Sequence, residues 1–307
     1  MDSNGTIFAR DDKFWDNYVK GRPRVPESFF ERIFGYHKAK GGAFGTVHDV
    51  GAGNGPYAQR LRARFAHVIV SDIAPTNVDL ARARLGTDGY SFRAAKVEEA
   101  DDLAPGSVDM VFATNVMHFP DPQAAAMAAI ARQLKSGGTF AAALFGPARF
   151  HDAALQDLWA RFSHEGGRQL LRTVDDPDQT IRVMARTQDG YSVAPLDEAL
   201  FVPGALRVHL NMAHGGIQGM LPPEEAHRAA AEPDYTGPAD VDVREDESGW
   251  SFETDLAGVR EHFGSFPFIS QFPDAFVGLY AELDALLAGG KRVEGYFPVK
   301  IILATRR

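Results

Sequence analysis

The stretch Thr46–Gly55, T-V-H-D-V-G-A-G-N-G, constrains this chain more than any other. Thr46, Val47 and Val50 are β-branched and predict a short strand. The strand runs into Gly51-Ala52-Gly53-Asn54-Gly55, and Tyr57–Arg64 then reads as a helix, with Leu61 and Phe65 on one face. A strand, a glycine-rich turn and a helix open a βαβ nucleotide-binding unit. The glycines let the backbone approach a ligand closely, and the helix N-terminus favours negative charge. The spacing is G-x-G-x-G, not the G-x-G-x-x-G of dinucleotide folds, and Asp49 sits in the end of the strand two residues before the first glycine.

The run V-H-D-V-G-A-G-N-G resembles motif I of class I S-adenosylmethionine (SAM)-dependent methyltransferases. That resemblance implies an α/β, Rossmann-like fold: a seven-stranded, mostly parallel sheet with helices on both faces. It also implies that Asp49, Gly51, Ala52, Gly53 and Gly55 pack around the amino-acid and ribose parts of SAM, leaving S-adenosylhomocysteine (SAH) as product. Two other classes stay open at this point. One is a SAM-binding protein that does not methylate; the other is a nicotinamide oxidoreductase, against which the glycine spacing argues.

The chain has 307 residues, 45% of them hydrophobic and 24% charged, enough for a sizeable core and more than a minimal Rossmann domain needs. A substrate cap is therefore expected. With no cysteine there are no disulfides, thiolate metal ligands or cysteine nucleophiles, and no H-x-x-x-H or H-E-x-x-H spacing supports a metal site. The net charge of −9 and the absence of a long Lys/Arg block argue against nucleic acid as a partner. No apolar run reaches the ~20 residues of a membrane span, and the first residues lack the form of a signal peptide. The expectation is a soluble cytoplasmic protein acting on a small molecule, of a size and acceptor that the sequence does not set; the same holds for its oligomeric state.

Phe14, Trp15, Tyr18 and then Gly21-Arg22-Pro23 precede a helix predicted over Glu27–Tyr36. The pattern Y-x-x-x-R-P, carried by Tyr18, Arg22 and Pro23, resembles the N-terminal segment of trans-aconitate methyltransferase-like enzymes. The resemblance implies that residues 1–40 fold over SAM and that Tyr18 and Arg22 touch cofactor or substrate. An arginine fork suits a carboxylate of either.

The second strand, Val68–Ser71, ends at Asp72, whose carboxylate can accept hydrogen bonds from a ribose diol. Ile73 is placed to pack on the adenine, and Thr76 or Asn77 to cap the helix that follows. After strand three, Tyr90–Ala94, the family has an Asp that contacts the adenine amine. Here Lys96 stands in that place, so adenine is held either by the backbone at Lys96 and Val97 or by Glu98. Strand four, Ser107–Ala113, leads to Asn115, Val116, Met117, His118 and Phe119 at the carboxyl end of the sheet, where ligands bind in open α/β folds. Asn115 and Val116 are expected on the cofactor side. His118 and Phe119 are expected to border the methyl group, with His118 either a base or a pocket wall.

Residues 41–149 thus form the SAM-binding core, ending in strand five, Thr139–Phe145. Residues 150–240 lose regular pattern after a helix at Phe150–Phe162 and read as a cap inserted between strands five and six; His209 and His214 fall within it. Residues 241–307 complete the sheet, with strand six at Val241–Arg244 and the antiparallel seventh within Gly295–Thr305. Tyr18, His118, Phe119, Arg149 and Trp250 are the candidate substrate contacts. The reading is O-methylation of a small carboxylate or hydroxyl, with nitrogen or carbon as alternative acceptors, as in biosynthetic methyltransferases.

Overall fold

The computed structural model describes residues 12–188, 190–191, 193–213, 215–229 and 235–307. Its first half alternates helix and strand: α1 (Asp12–Gly21), α2 (Glu27–Ala39), β1 (Thr46–Val50), α3 (Ala58–Arg62), β2 (His67–Asp72), α4 (Pro75–Leu85), β3 (Tyr90–Ala94), β4 (Val108–Thr114), α5 (Gln123–Gln133) and β5 (Leu134–Phe145). The second half runs β6 (Arg149–Phe150), α6 (Ala153–Thr173), α7 (Pro177–Arg186), β7 (Leu206–Leu210), β8 (Val241–Glu245) and β9 (Ser251–Thr254). It closes with α8 (Leu256–Gly264), α9 (Pro267–Gln271), α10 (Val277–Leu286), β10 (Val293–Tyr296) and β11 (Val299–Thr305). None of the described helices is long and apolar enough to cross a membrane.

The main sheet has the order β3-β2-β1-β4-β5-β11-β7-β8. Every neighbouring pair is parallel except the two that β11 makes, with β5 and with β7. Its strands alternate cleanly, as a period of two requires. Val299, Ile301 and Leu303 of β11 join Met110, Phe112, Ala141 and Ala143 in the core shared with α2, α6 and α8. Ile302 and Ala304 join Val111, Ala113 and Ala142 in the core shared with α5. Both faces are thus covered, which is why β4 and β11 are buried along their whole length and mostly apolar, Asp109, Thr114, Lys300 and Thr305 excepted.

Two expectations are corrected. The sheet has eight strands, not seven. The strand beside β11 is β7, inside the stretch read as cap, while Val241–Glu245 is the added edge strand beyond it. Leu206–Leu210, which lies in the stretch read as irregular cap, alternates apolar residues with Arg207 and His209. Both polar side chains are in fact buried, Arg207 against Asp240 at 2.6 Å and His209 between Lys300 and Asp242. Partners distant in sequence make that burial tolerable. A second sheet, β6-β10-β9, and the packed helices α6, α8, α9 and α10 occupy one side. His214 lies outside the described residues.

Candidate cofactor cleft

Asp49, next to last in β1, has 1% of its surface exposed and, among the described residues, no hydrogen-bond partner on either carboxylate oxygen. Burial, reinforced by the neighbouring Asp72 charge, pushes its carboxyl up to about 8. An ionised carboxylate without partners is costly in such a place. A cation arriving there would remove that cost, and SAM carries two, an ammonium and a sulfonium. The donor set therefore fits the cofactor.

Beside it the chain turns through Gly51, at φ +63°, and Gly53, at φ +57°. A β-carbon on Gly51 would lie 2.2 Å from Val116 Cγ2, and one on Gly53 would lie 2.2 Å from Trp15 Cη2. The loop is thus pressed from two sides. Asp72 organises it from below: its carboxylate accepts from Gly53 N–H at 2.9 Å, Ala74 N–H at 2.9 Å and Asn77 Nδ2 at 3.1 Å. Asp72 is itself the acceptor at the start of α4. The N-cap position is Ala74, without a side-chain cap, so neither Thr76 nor Asn77 fills the role expected of it. Ile73 leaves 42% of its surface bare next to Asp72, a ledge of the right kind for an adenine. Lys96 points outward, 4.0 Å from Glu99, and Glu98 and Val97 are partly buried.

Helix α1 lies across this loop. Trp15 is 5% exposed and donates its indole N–H to Asn77 Oδ1 at 3.0 Å. Tyr18 packs edge-on against Trp15, 5.2 Å between centroids. The Arg22 guanidinium is held between the rings of Tyr18, at 4.7 Å, and Phe266, at 4.0 Å. Among the described residues its Nε has no hydrogen-bond partner and it forms no ion pair; burial holds its pKa below the usual value. Tyr57, whose ring sits among Phe30, Phe112 and Phe145, shares the electrostatic surroundings of Tyr18, Arg22 and Asp49. Trp15 and Tyr57 are thus part of the cleft although the sequence reading gave neither a role. The signal was present for Tyr57, two residues after Gly55.

At the end of β4, Asn115 takes φ 54° and accepts Phe145 N–H on its side-chain oxygen at 2.9 Å, so its amide braces β5. His118 is buried, its ring tilted against that of Phe119 with 4.1 Å between centroids, and its Nδ1 has no hydrogen-bond partner among the described residues. Burial, with the Arg186 charge, depresses its pKa to about 3. Arg186 of α7 donates to Pro120 O at 3.0 Å and lies 3.3 Å from Asp121, while Gln123 donates to Met117 O at 2.7 Å and Pro120 O at 2.8 Å. The loop carrying His118 is therefore fixed from both sides.

Two candidate substrate residues are placed elsewhere. Arg149 directs its guanidinium to the carbonyls of Gly215 and Gly216, at 3.1 Å for the latter, and so fastens β6 to that loop. Trp250 is 1% exposed, covered by Phe29 and Phe145, and belongs to the core.

A mostly parallel sheet with one antiparallel strand, and a glycine loop facing an unpartnered acid, define a methyltransferase of the SAM-dependent class. Residues 48–142 match the methyltransferase domain family. The whole chain is 58% identical over 307 residues to Methyltransferase tpcM of Aspergillus fumigatus, covering 100% of this chain and 96% of that protein. It is 58% identical over 308 residues to Methyltransferase AacuQ of Aspergillus aculeatus, covering 100% and 97%. With Methyltransferase gedG of Aspergillus terreus it shares 53% over 306 residues, covering 100% and 95%. The chain belongs to this methyltransferase family, and its methyl donor is SAM. That overturns the nicotinamide oxidoreductase and the non-methylating binder. A solved structure from Anaeromyxobacter dehalogenans, described as a type II methyltransferase, shares the fold with a TM-score of 0.56 at 18% identity, covering 92% of this chain and 97% of that one.

Proposed function

We propose that this enzyme methylates oxygen on a small molecule, a carboxylate or an acidic hydroxyl, and that α1 closes its cleft. Helix α1 is the described part of the expected lid at residues 1–40 that crosses the loop; residues 1–11 lie outside the described residues. The observation that carries the reading is Arg22. A guanidinium held between two aromatic rings beside the cofactor loop, with no acid paired to it among the described residues, is suited to an anionic group. The Y-x-x-x-R-P pattern of Tyr18, Arg22 and Pro23 supports the same reading, because it resembles enzymes that take small acids.

When bound, SAM supplies a methyl group already activated by the positive sulfur. The chain's own contribution is to hold the acceptor on the methyl axis, exclude water and balance charge. Asp49 would face the cofactor's cationic end, and Gly51–Gly55 its amino-acid and ribose parts. Ile73 would lie under the adenine, with main-chain groups at Lys96 and Val97 beside it. His118 and Phe119 form the wall on the acceptor side. A ring whose pKa is near 3 holds a proton too weakly to serve as a general base near neutrality. A carboxylate acceptor needs no base, being ionised already.

The test is calorimetric titration with SAM and SAH, followed by a methyl-transfer screen of carboxylic acids, phenols and amines. Binding of both ligands and turnover of an acid or phenol is expected. Turnover of amines alone would overturn the oxygen assignment, and an Arg22→Met variant with unaltered acceptor KM would remove Arg22 from the site.

A further inference from the structure

His262 sits in α8, 241 residues from the helix it touches. Its Nδ1 lies 2.7 Å from Gly21 O, the last residue of α1. Its Nε2 accepts the Ala148 N–H at 3.1 Å, just beyond the end of β5. The second bond fixes the tautomer: Nε2 carries no proton, so Nδ1 carries it and donates to Gly21. The ring is 6% exposed, walled by Trp159, Phe266 and Phe297 at 5.3–5.6 Å between centroids. Burial among these rings, with the Arg22 charge nearby, holds its pKa at about 3, so one neutral tautomer persists across the physiological range.

The contact is made close by Gly21. A β-carbon there would lie 2.2 Å from Glu261 O and 2.6 Å from Ser265 Cβ, so α1 ends directly on the α8 backbone. From that fixed end α1 runs to Trp15, which covers Gly53 and bonds Asn77, which in turn bonds Asp72. Phe266, one wall of the His262 ring, is also the ring over which Arg22 lies. One imidazole therefore touches the C-terminal end of α1, the segment just beyond β5 and the ring over which Arg22 lies.

We propose that His262 is a positioning residue that clamps the C-terminal end of α1 and so holds the lid closed over the cofactor loop. This rests on reading α1 as the lid. The clamp is specific to the Nδ1–H donor, which distinguishes it from simple packing.

That distinction supplies the experiment, the dissociation rate of SAH followed by tryptophan fluorescence. His262→Asn places an amide donor where Nδ1 lies and keeps the bond to Gly21. His262→Gln reaches the Nε2 position and keeps only the contact with Ala148, and His262→Phe keeps neither. Loss of one such bond should speed SAH release by about five- to tenfold. We expect this in the Gln and Phe variants and a near-normal rate in the Asn variant. Equal rates in Asn and Gln, or an unchanged rate in a folded Phe variant, overturn the proposal. Hydrogen exchange on the unaltered protein covers the case of variants that fail to fold. There α1 and α8 should gain protection together when SAH is added, and protection of one without the other refutes the clamp. If the unaltered protein binds no SAH, the cofactor cleft itself has been misassigned. Binding with indifferent variants removes only the clamp.

Discussion

Trp15 and Gly53 meet so closely that no side chain fits between them: the indole Cη2 lies 2.2 Å from where a β-carbon would stand. Gly53 also holds φ +57°, a region that costs other residues about 1–2 kcal/mol. Gly53→Val should abolish SAM binding in calorimetry and change the Trp15 fluorescence. Gly53→Ala should be milder, and less damaging in a Trp15→Ala background, with a coupling of about 0.5–3 kcal/mol in a double-mutant cycle. Additive effects would separate the lid from the loop.

Asp49 gives a pH dependence with a definite sign. Its carboxyl titrates at about 8 when folded, against an ordinary 3.8. The folded state thus holds an extra proton between these values, and stability falls as pH rises from about 4 to 8. A cationic ligand favours the ionised form, so SAM binding should release a proton and tighten as pH rises toward 8. Asp49→Asn should raise the melting temperature at pH 8, weaken SAM, and lose the proton release seen by calorimetry in buffers of different ionisation enthalpy. A variant that binds SAM with the same proton release would exclude Asp49.

Asp72 satisfies three donors, Gly53 N–H, Ala74 N–H and Asn77 Nδ2. Asp72→Ala leaves them without an acceptor, so the cofactor-free protein should lose on the order of 2–3 kcal/mol in urea unfolding. SAM affinity should fall by roughly 1–3 kcal/mol as well. A loss of affinity with no loss of stability would mean that the carboxylate serves only the ligand.

His118 should behave as a wall. His118→Ala should lower kcat/KM by less than the roughly 10²–10⁴-fold that a lost general base costs. High pH should not restore the rate, and the unaltered enzyme should show no break in its pH–rate profile between 5 and 8 from this group. A large loss rescued by alkali would restore His118 as the base.

Much of the nucleotide-binding half was legible because its signals are local. β1, the glycine turn and β3 follow from β-branched and glycine preferences within a few residues. The antiparallel terminal strand that the resemblance implied is present as β11, though its second neighbour is β7 and not the expected Val241–Arg244. The second half resisted because its pattern is made of distant partners. β7 fell inside the stretch read as irregular cap, because its polar side chains are buried only by Asp240, Asp242 and Lys300. Trp250, expected among the substrate contacts, is 1% exposed and packed in the core. The sheet's apolar strands identify themselves, but a charged residue in a strand is read as exposed unless its counter-ion is known.

By itself, then, the chain's order of residues determined the conformation of Thr46–Gly55, the strands on either side of it and the acidic residues at their ends. Those features depend on backbone preferences and side chains a few positions apart. Only the tertiary structure decided that Asp49 has no partner, that Arg149 is occupied by Gly215 and Gly216, and that His262 reaches Gly21. Whether a buried charge is spent or available depends on what packs against it in space, and no local pattern encodes a neighbour two hundred residues away.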